Sequence, residues 1–176
     1  MTPADATAKP VEIYIDGACI GNPGRGGYGA VILGDGKRRE LSAGFRLTTN
    51  NRMELLGAIE ALAALAARST VTLHSDSSYV VRGMNEGWAR KWQAKHWYRT
   101  KTQRAVNPDL WQRLLELAEK HDVTFRWVPG HAGVRENERC DRLAVAAASG
   151  TDLAPDIAYE ASLVRDKPAP TRPSLL

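Results

Sequence analysis

Cysteine is nearly missing from this 176-residue chain: Cys19 and Cys140 stand far apart and outside any CxxC spacing. That removes the basis for a disulfide framework or a thiolate zinc site, and it fits a reducing cytoplasm. No apolar run approaches the roughly 18 residues that a membrane span needs, and the opening MTPADATAKP lacks the apolar stretch of a secretory signal. There is no internal repeat and no HxxxH pair. Nothing supplies the Ser–His or two-histidine machinery of a metal-independent hydrolase or nuclease. What is present, 43% hydrophobic and 25% charged residues, is the composition of one soluble domain with a proper core, expected to act as a monomer.

The net charge is only +4, but it is concentrated. Between Arg82 and Ala105 stand seven basic residues, Arg82, Arg90, Lys91, Lys95, Arg99, Lys101 and Arg104, against one acid, Glu86. That segment carries +6 and the rest of the chain −2. Trp88, Trp92 and Trp97 are interleaved with these cations. Basic side chains mixed with aromatics suggest a nucleic-acid surface; a solvated helix face with tryptophans turned to the core is the alternative.

Hydrophobic periodicity predicts strands at Val11–Asp16, Tyr28–Leu33, Arg38–Phe45, Thr70–Ser75 and Val123–Val128. Asn22–Gly27 reads as a glycine-rich turn and Asp35-Gly36 as a hairpin. Helices are expected over Arg52–Ala67, Ser77–Glu86, Ala89–Trp97, Asp109–His121 and Glu138–Ser149, the fourth started by Asn107-Pro108. The spacing strand, helix, strand makes the first and fourth strands parallel neighbours. Residues 1–10 read as a flexible arm, 11–150 as one folded domain, and 151–176 as an extension disordered toward its end, where Pro168, Pro170 and Pro173 cluster.

Four carboxylates occupy positions that matter. Asp16 closes the first strand and Asp76 the fourth, so a parallel pairing carries both to the sheet edge where open α/β sheets place their sites. Glu54 falls in the first turn of the connecting helix, and Asp141 opens the last helix. Convergence would raise their pKa values unless protons or a divalent cation neutralise them. An all-oxygen set favours Mg²⁺ or Mn²⁺ over zinc. Singly, each has another explanation: a turn closed by Asp16, a dipole-complementing acid at Glu54, a cap at Asp76, a solvated face at Asp141.

The stretches DGACIGNPGRGGYGA, TTNNRMELLGAIEAL, HSDSSYVVRGM, NPDLWQRL and WVPGHAGVRENERCDRLA resemble the bacterial ribonuclease H type 1 family, in order from Val11 to Ala148. The resemblance implies an α/β fold with a five-stranded mixed sheet flanked by helices on both faces. It also implies metal-dependent hydrolysis of the RNA strand of an RNA–DNA hybrid, leaving 5′-phosphate and 3′-hydroxyl ends. The family's metal-binding carboxylates fall on Asp16, Glu54, Asp76 and Asp141, which implies two Mg²⁺ ions, with Mn²⁺ as a substitute. His131, in the loop Gly130–Gly133, matches the family's histidine beside the metals, expected to move a proton or help product leave. The family's minor-groove contacts fall on Cys19, Asn22, Asn50 and Asn51, and its DNA-phosphate pocket on Thr49 and Asn107. Trp88 corresponds to a contact with the DNA sugars. Arg90, Lys91, Lys95, Arg99 and Lys101 correspond to the family's basic protrusion, while Trp92 and Trp97 hold its helices together.

The sequence also departs from the family pattern. Leu47 stands where a basic residue is common, with Arg46 just ahead of it; Ser78 replaces a glutamine; Ile15 and Ala18 replace polar residues; and one residue near Gly87 is inserted. A non-catalytic binding module would be expected to lose one of the four acids, and all four are present. An exonuclease or resolvase on the same architecture would keep the acids, but the asparagine-rich hydroxyl-reading stretches argue for a hybrid substrate.

Overall fold

The computed structural model describes residues 9–166; the expected N-terminal arm and the proline-bearing end of the tail lie outside the described residues, apart from Lys9 and Pro10. Five strands, β1 (Lys9–Ile20), β2 (Gly24–Gly34), β3 (Lys37–Thr48), β4 (Ser69–Ser75) and β5 (Asp122–Trp127), form one sheet in the order β3-β2-β1-β4-β5. The first three make an antiparallel meander, and β4 and β5 join in parallel, so the sheet is mixed. The helices are α1 (Asn50–Ala63), α2 (Ser78–Asn85), α3 (Trp88–Ala94), α4 (Pro108–Lys120), α5 (Arg135–Ala148) and α6 (Ile157–Arg165).

Strand alternation assigns the two faces. Ile13 and Ile15 of β1 and Leu73 of β4 pack with Leu55, Ile59 and Leu62 of α1, and this core continues to Trp111 and Leu114 of α4. Helix α1 is buried nearly all round, because it lies between the sheet and α4. The opposite face of β1–β3 is covered by α5. Close packing there depends on glycine: a Cβ at Gly29 would strike the Cys140 carbonyl and lie 2.8 Å from Leu143 Cβ. Gly29→Ala is therefore expected to cost about 1–3 kcal/mol through overpacking, seen as a melting temperature lower by roughly 2–4 °C per kcal/mol.

Four sequence expectations are corrected. Strand β1 runs four residues beyond Asp16, because its far end pairs with Gly26 and Arg25 of β2 rather than turning. The glycines expected to form a turn belong mostly to β2, and the turn itself is confined to Gly21–Pro23. Helix α1 starts at Asn50, two residues early, because Thr49 Oγ1 accepts the Arg52 N–H as its N-cap, and it ends at Ala63. Helix α5 starts at Arg135 rather than Glu138. In addition, α6 was not expected. Asp156 caps it, accepting from Tyr159 N–H at 3.3 Å, yet it buries none of its own residues and so carries no apolar stripe to read.

Candidate active site

Strand β4 stops pairing with β1 at Tyr14–His74, which opens the sheet beside Asp16. Asp16 pairs with Gly29 and so faces α5, whereas Glu54 enters from α1 on the other side. Asp76 follows β4 directly. One carboxylate oxygen from each of the three lies within 4.8 Å of the others. Asp16, Glu54, Asp76, Asp141 and His131 line one open depression of about 400 Å³ with Asn50 and Asn51. Asp141 is on its rim, half-buried in the second turn of α5 rather than at the helix start, and is not one of the close trio.

Two glycines make this approach possible. A Cβ on Gly17 would sit 2.7 Å from the Glu54 backbone nitrogen, and one on Gly130 would sit 2.5 Å from Asp76 Oδ2. Asn137 also reaches the trio: its Nδ2 donates to Asp76 Oδ2 at 3.4 Å, and its buried Oδ1 has no partner among the described residues. Sequence reasoning missed Asn137, although it lies four residues before Asp141 and hence on the same helix face. Trp127 Nε1–H donates to the Asp76 carbonyl at 3.2 Å, fixing the end of β4.

The electrostatics are those of crowded acids. Burial, then the negative charges of Asp76 and Asp141, push the Asp16 carboxyl up to about 7 against the relief of a hydrogen bond from Gly17 N–H. Glu54 is held well above the ordinary carboxylate range by burial first, then by the charges of Asp16 and Asp76. Glu54 Oε2 is buried with no hydrogen-bond partner among the described residues. Among the described residues, no ion pair joins a cationic side chain to Asp16. A buried, partnerless carboxylate oxygen facing two more carboxylates is a donor set that fits a hard divalent cation. The alternatives for two acids fall away: Glu54 is in the second turn of α1, not beside the positive helix end, and the cap of α2 is Ser77, not Asp76.

Of the residues expected to read substrate, Asn50 and Asn51 line the acidic depression itself, while Asn107 is buried. Asn22 Oδ1 accepts the Asn50 N–H at 3.1 Å, which ties the β1–β2 turn to the start of α1. Cys19 Sγ donates to the Thr48 carbonyl at 3.5 Å, and burial raises its thiol pKa, so it is no reactive thiolate. Asn51 and Trp88 line one groove of about 590 Å³ with Tyr79, Trp92, Arg99 and Thr100. Asn107 takes a left-handed conformation (φ 57°), and its side chain does not cap α4; it accepts from Arg52 and donates to Tyr79 Oη, both at 3.3 Å. Thr49 is occupied in capping α1. His131 is exposed on its loop with φ 52°.

Arg90, Lys91, Lys95, Arg99 and Lys101 are all exposed, Arg90 being paired to Glu119 at 3.1 Å. Lys95, Arg99 and Lys101 border a shallow groove with Tyr98. Trp92 packs edge-on against Trp111, and the Arg82 guanidinium lies 4.9 Å above Trp88. Arg46 does not turn toward the Thr49–Asn107 region: its guanidinium grips both carboxylate oxygens of Glu160 in α6, at 2.9 and 2.7 Å.

A family model described as RNase H matches residues 8–149. The chain is 61% identical over 143 residues to a ribonuclease HI of Synechocystis, covering 81% of this chain and 89% of that one. It is 56% identical over 158 residues to a ribonuclease H of Syntrophus aciditrophicus, covering 90% and 91%. Among solved structures, it is similar to LC9-RNase H1, described as a type 1 RNase H with the type 2 active-site motif (TM-score 0.74, 35% identity, 85% and 76% coverage). It is also similar to LC11-RNase H1 in complex with an RNA/DNA hybrid (TM-score 0.60, 26% identity, 78% and 96% coverage).

Proposed function

This chain belongs to the ribonuclease H family, and from that premise we propose how it hydrolyses the RNA strand of RNA–DNA hybrids: by endonucleolytic in-line attack at the depression lined by Asp16, Glu54, Asp76 and Asp141. The observation that carries this reading is the trio of converging carboxylates with a partnerless buried oxygen on Glu54. These residues would hold Mg²⁺, two ions when substrate is bound, with Mn²⁺ as a substitute. Bound there, such cations would supply the positive charge that in-line hydrolysis of a phosphodiester needs.

The chain's own groups do the rest. The four carboxylates would hold the cations from β1, α1, the residue directly after β4, and α5, so regular elements or their immediate ends define the geometry. His131, on the exposed rim, exchanges a proton with the leaving side or helps product depart. Cys19, Asn22, Asn50 and Asn51 read the minor groove, where 2′-hydroxyls are displayed. Thr49 and Asn107 bind a DNA phosphate, and Trp88 packs on the DNA sugars. Arg90, Lys91, Lys95, Arg99 and Lys101 follow the backbone, which makes binding salt-dependent. Leu47 supplies no charge to the phosphate pocket, and Arg46 is committed to Glu160, so that pocket relies on neutral donors. The protein acts as a cytoplasmic monomer; no helix among the described residues is long and apolar enough to cross a membrane.

Matched RNA–DNA, RNA–RNA and DNA–DNA duplexes, labelled on either strand and given Mg²⁺ or EDTA, test the reading. The expected result is loss of the hybrid's RNA strand alone, with 5′-phosphate and 3′-hydroxyl ends. EDTA should abolish it, and Asp76→Asn should slow it by about a hundred- to a thousandfold, the scale of losing preorganised electrostatic stabilisation. Cutting of DNA–DNA would reassign the substrate, and tight hybrid binding without cleavage would make the chain a binding module.

A further inference from the structure

We propose that Asp156, in the segment joining α5 to α6, is a positioning residue for hybrid binding, so that residues 154–160 help to read a substrate they do not touch. This rests on the reading of Thr49, Asn50, Asn51 and Asn107 as hybrid contacts. Asp156 is buried at 8% exposure, and its carboxylate is divided between the two residues that bracket those contacts on α1. Oδ2 accepts from Thr48 Oγ1 and from Arg52 Nε, each at 2.7 Å, and Oδ1 accepts from Arg52 Nη2 at 2.9 Å. One anion thus fixes both ends of the run Thr49–Asn51.

The constraint extends to the second substrate loop through Arg52. Its remaining donors go to Asn107 Oδ1 at 3.3 Å and to both oxygens of Asp109, at 3.0 and 2.8 Å. All five N–H groups of a guanidinium are then engaged, and the group has no freedom to turn. Asn107 sits in a left-handed conformation that asparagine tolerates, and the bond from Arg52 fixes where its side chain points. The spacing between the α1 contacts and Asn107 is therefore set by a guanidinium that Asp156 orients. The segment itself is docked independently: Arg46 N–H donates to the Ala154 carbonyl at 2.9 Å, and Arg46 grips Glu160. Removing the Asp156 charge leaves the segment in place while releasing Arg52 toward Asp109.

The test measures hybrid affinity in the Asp76→Asn background with EDTA, by fluorescence anisotropy, well below each variant's melting temperature. Asp156→Asn should raise Kd about three- to tenfold, the scale of coupling through a packed network. Thr48→Val, which keeps the shape and removes one donor, should raise Kd by less. In the cleaving enzyme with Mg²⁺, Asp156→Asn should raise KM more than it lowers kcat. Combined with Asn107→Ala, it should raise Kd by less than the product of the single effects, since both act at one loop.

Ile32→Ala supplies the control, a buried β2 residue away from the network whose loss lowers stability. If Ile32→Ala weakens binding as much as Asp156→Asn, the role of Asp156 is only structural and the proposal fails. If Thr49→Ala and Asn107→Ala weaken binding while Asp156→Asn leaves Kd unchanged, the proposal fails and the contacts stand. If Thr49→Ala and Asn107→Ala both leave Kd unchanged, the reading of those contacts fails and the proposal with it.

Discussion

Glu54→Gln is expected to raise the melting temperature of the metal-free protein at pH 8 by about 5–10 °C while abolishing cleavage. The stabilisation follows from proton linkage. The folded-state pKa of Asp16 is raised from 3.8 to about 7, and that of Glu54 lies well above its ordinary 4.5, so between roughly pH 4 and the raised values the folded state holds more protons than the unfolded one. Stability must then fall as pH rises through that window and remain depressed above it. The penalty is on the order of a few kcal/mol, at about 1.4 kcal/mol per pKa unit, and each kcal/mol moves the melting temperature of a chain this size by about 2–4 °C. Glutamine keeps the shape and removes one of the crowded charges. At pH 4 Asp16 and Glu54 are already protonated in the folded wild type, so the difference between the two proteins should vanish. Added Mg²⁺ should stabilise the wild type most at alkaline pH, where it competes least with protons, and should do little for the variant. Calorimetric scans from pH 4 to 8 with EDTA or Mg²⁺ measure all of this. A Glu54→Gln protein less stable than wild type at pH 8 would mean that the trio is held together by bonds rather than strained by charge.

That strain is also why the centre was legible in the sequence. Carboxylates at Asp16 and Asp76 end alternating apolar runs, and although a turn or a cap could explain either one alone, their pairing at one sheet edge stands out before the fold is known. The parallel pairing of β1 with β4 followed from the strand–helix–strand spacing, because apolar periodicity is a local signal, whereas the five-stranded mixed sheet was expected from the family resemblance. What could not be read was set by distant partners. Strand β1 continues past Asp16 because the glycines of β2 pair with it and admit the backbone of α5. In the sequence those glycines look like a turn. Helix α6 hides because ion pairs, not an apolar stripe, hold its N-terminal end to the fold: Arg46 with Glu160 and Arg52 with Asp156 are more than a hundred residues apart. Asn107 beside Pro108 signalled a helix start correctly, but its side chain turns to Arg52 and Tyr79, which sequence spacing does not encode. Asn137 was passed over because an asparagine inside a charged helix looks solvated until the helix is docked.

The same ion pairs define where the fold is most vulnerable. Arg52 is 4% exposed, lies on a helix otherwise packed in the core, and is the cation between Asp109 and Asp156. Arg52→Met would fill the space and strand two carboxylates, one of them buried, without a counter-charge. Breaking a buried pair from one side costs about 3–5 kcal/mol, because the partner's desolvation is no longer compensated; the melting temperature should fall by roughly 10 °C. Arg46→Ala removes an ion pair of equally good geometry with Glu160, but that arginine is 61% exposed, and the expected loss is below about 1 kcal/mol. The contrast tests whether burial, rather than the count of hydrogen bonds, decides. A second signature is pH. Burial opposes ionisation of Asp109, but the hydrogen bonds and charge of Arg52 prevail and hold its carboxyl below the usual range. A lowered folded-state pKa contributes stability that is complete above the unfolded value near 4 and is lost as pH falls through the folded one. The gap between wild type and Arg52→Met should therefore be widest near neutral pH and narrow in acid, as for Glu54→Gln but with the opposite sign, since Arg52→Met is the less stable protein and Glu54→Gln the more stable one. Denaturant titrations of both variants at pH 3.5 and 7 would distinguish the two charge clusters, and equal losses for Arg46→Ala and Arg52→Met would refute the assignment of the buried arginine as the tie between α1, α4 and the C-terminal segment.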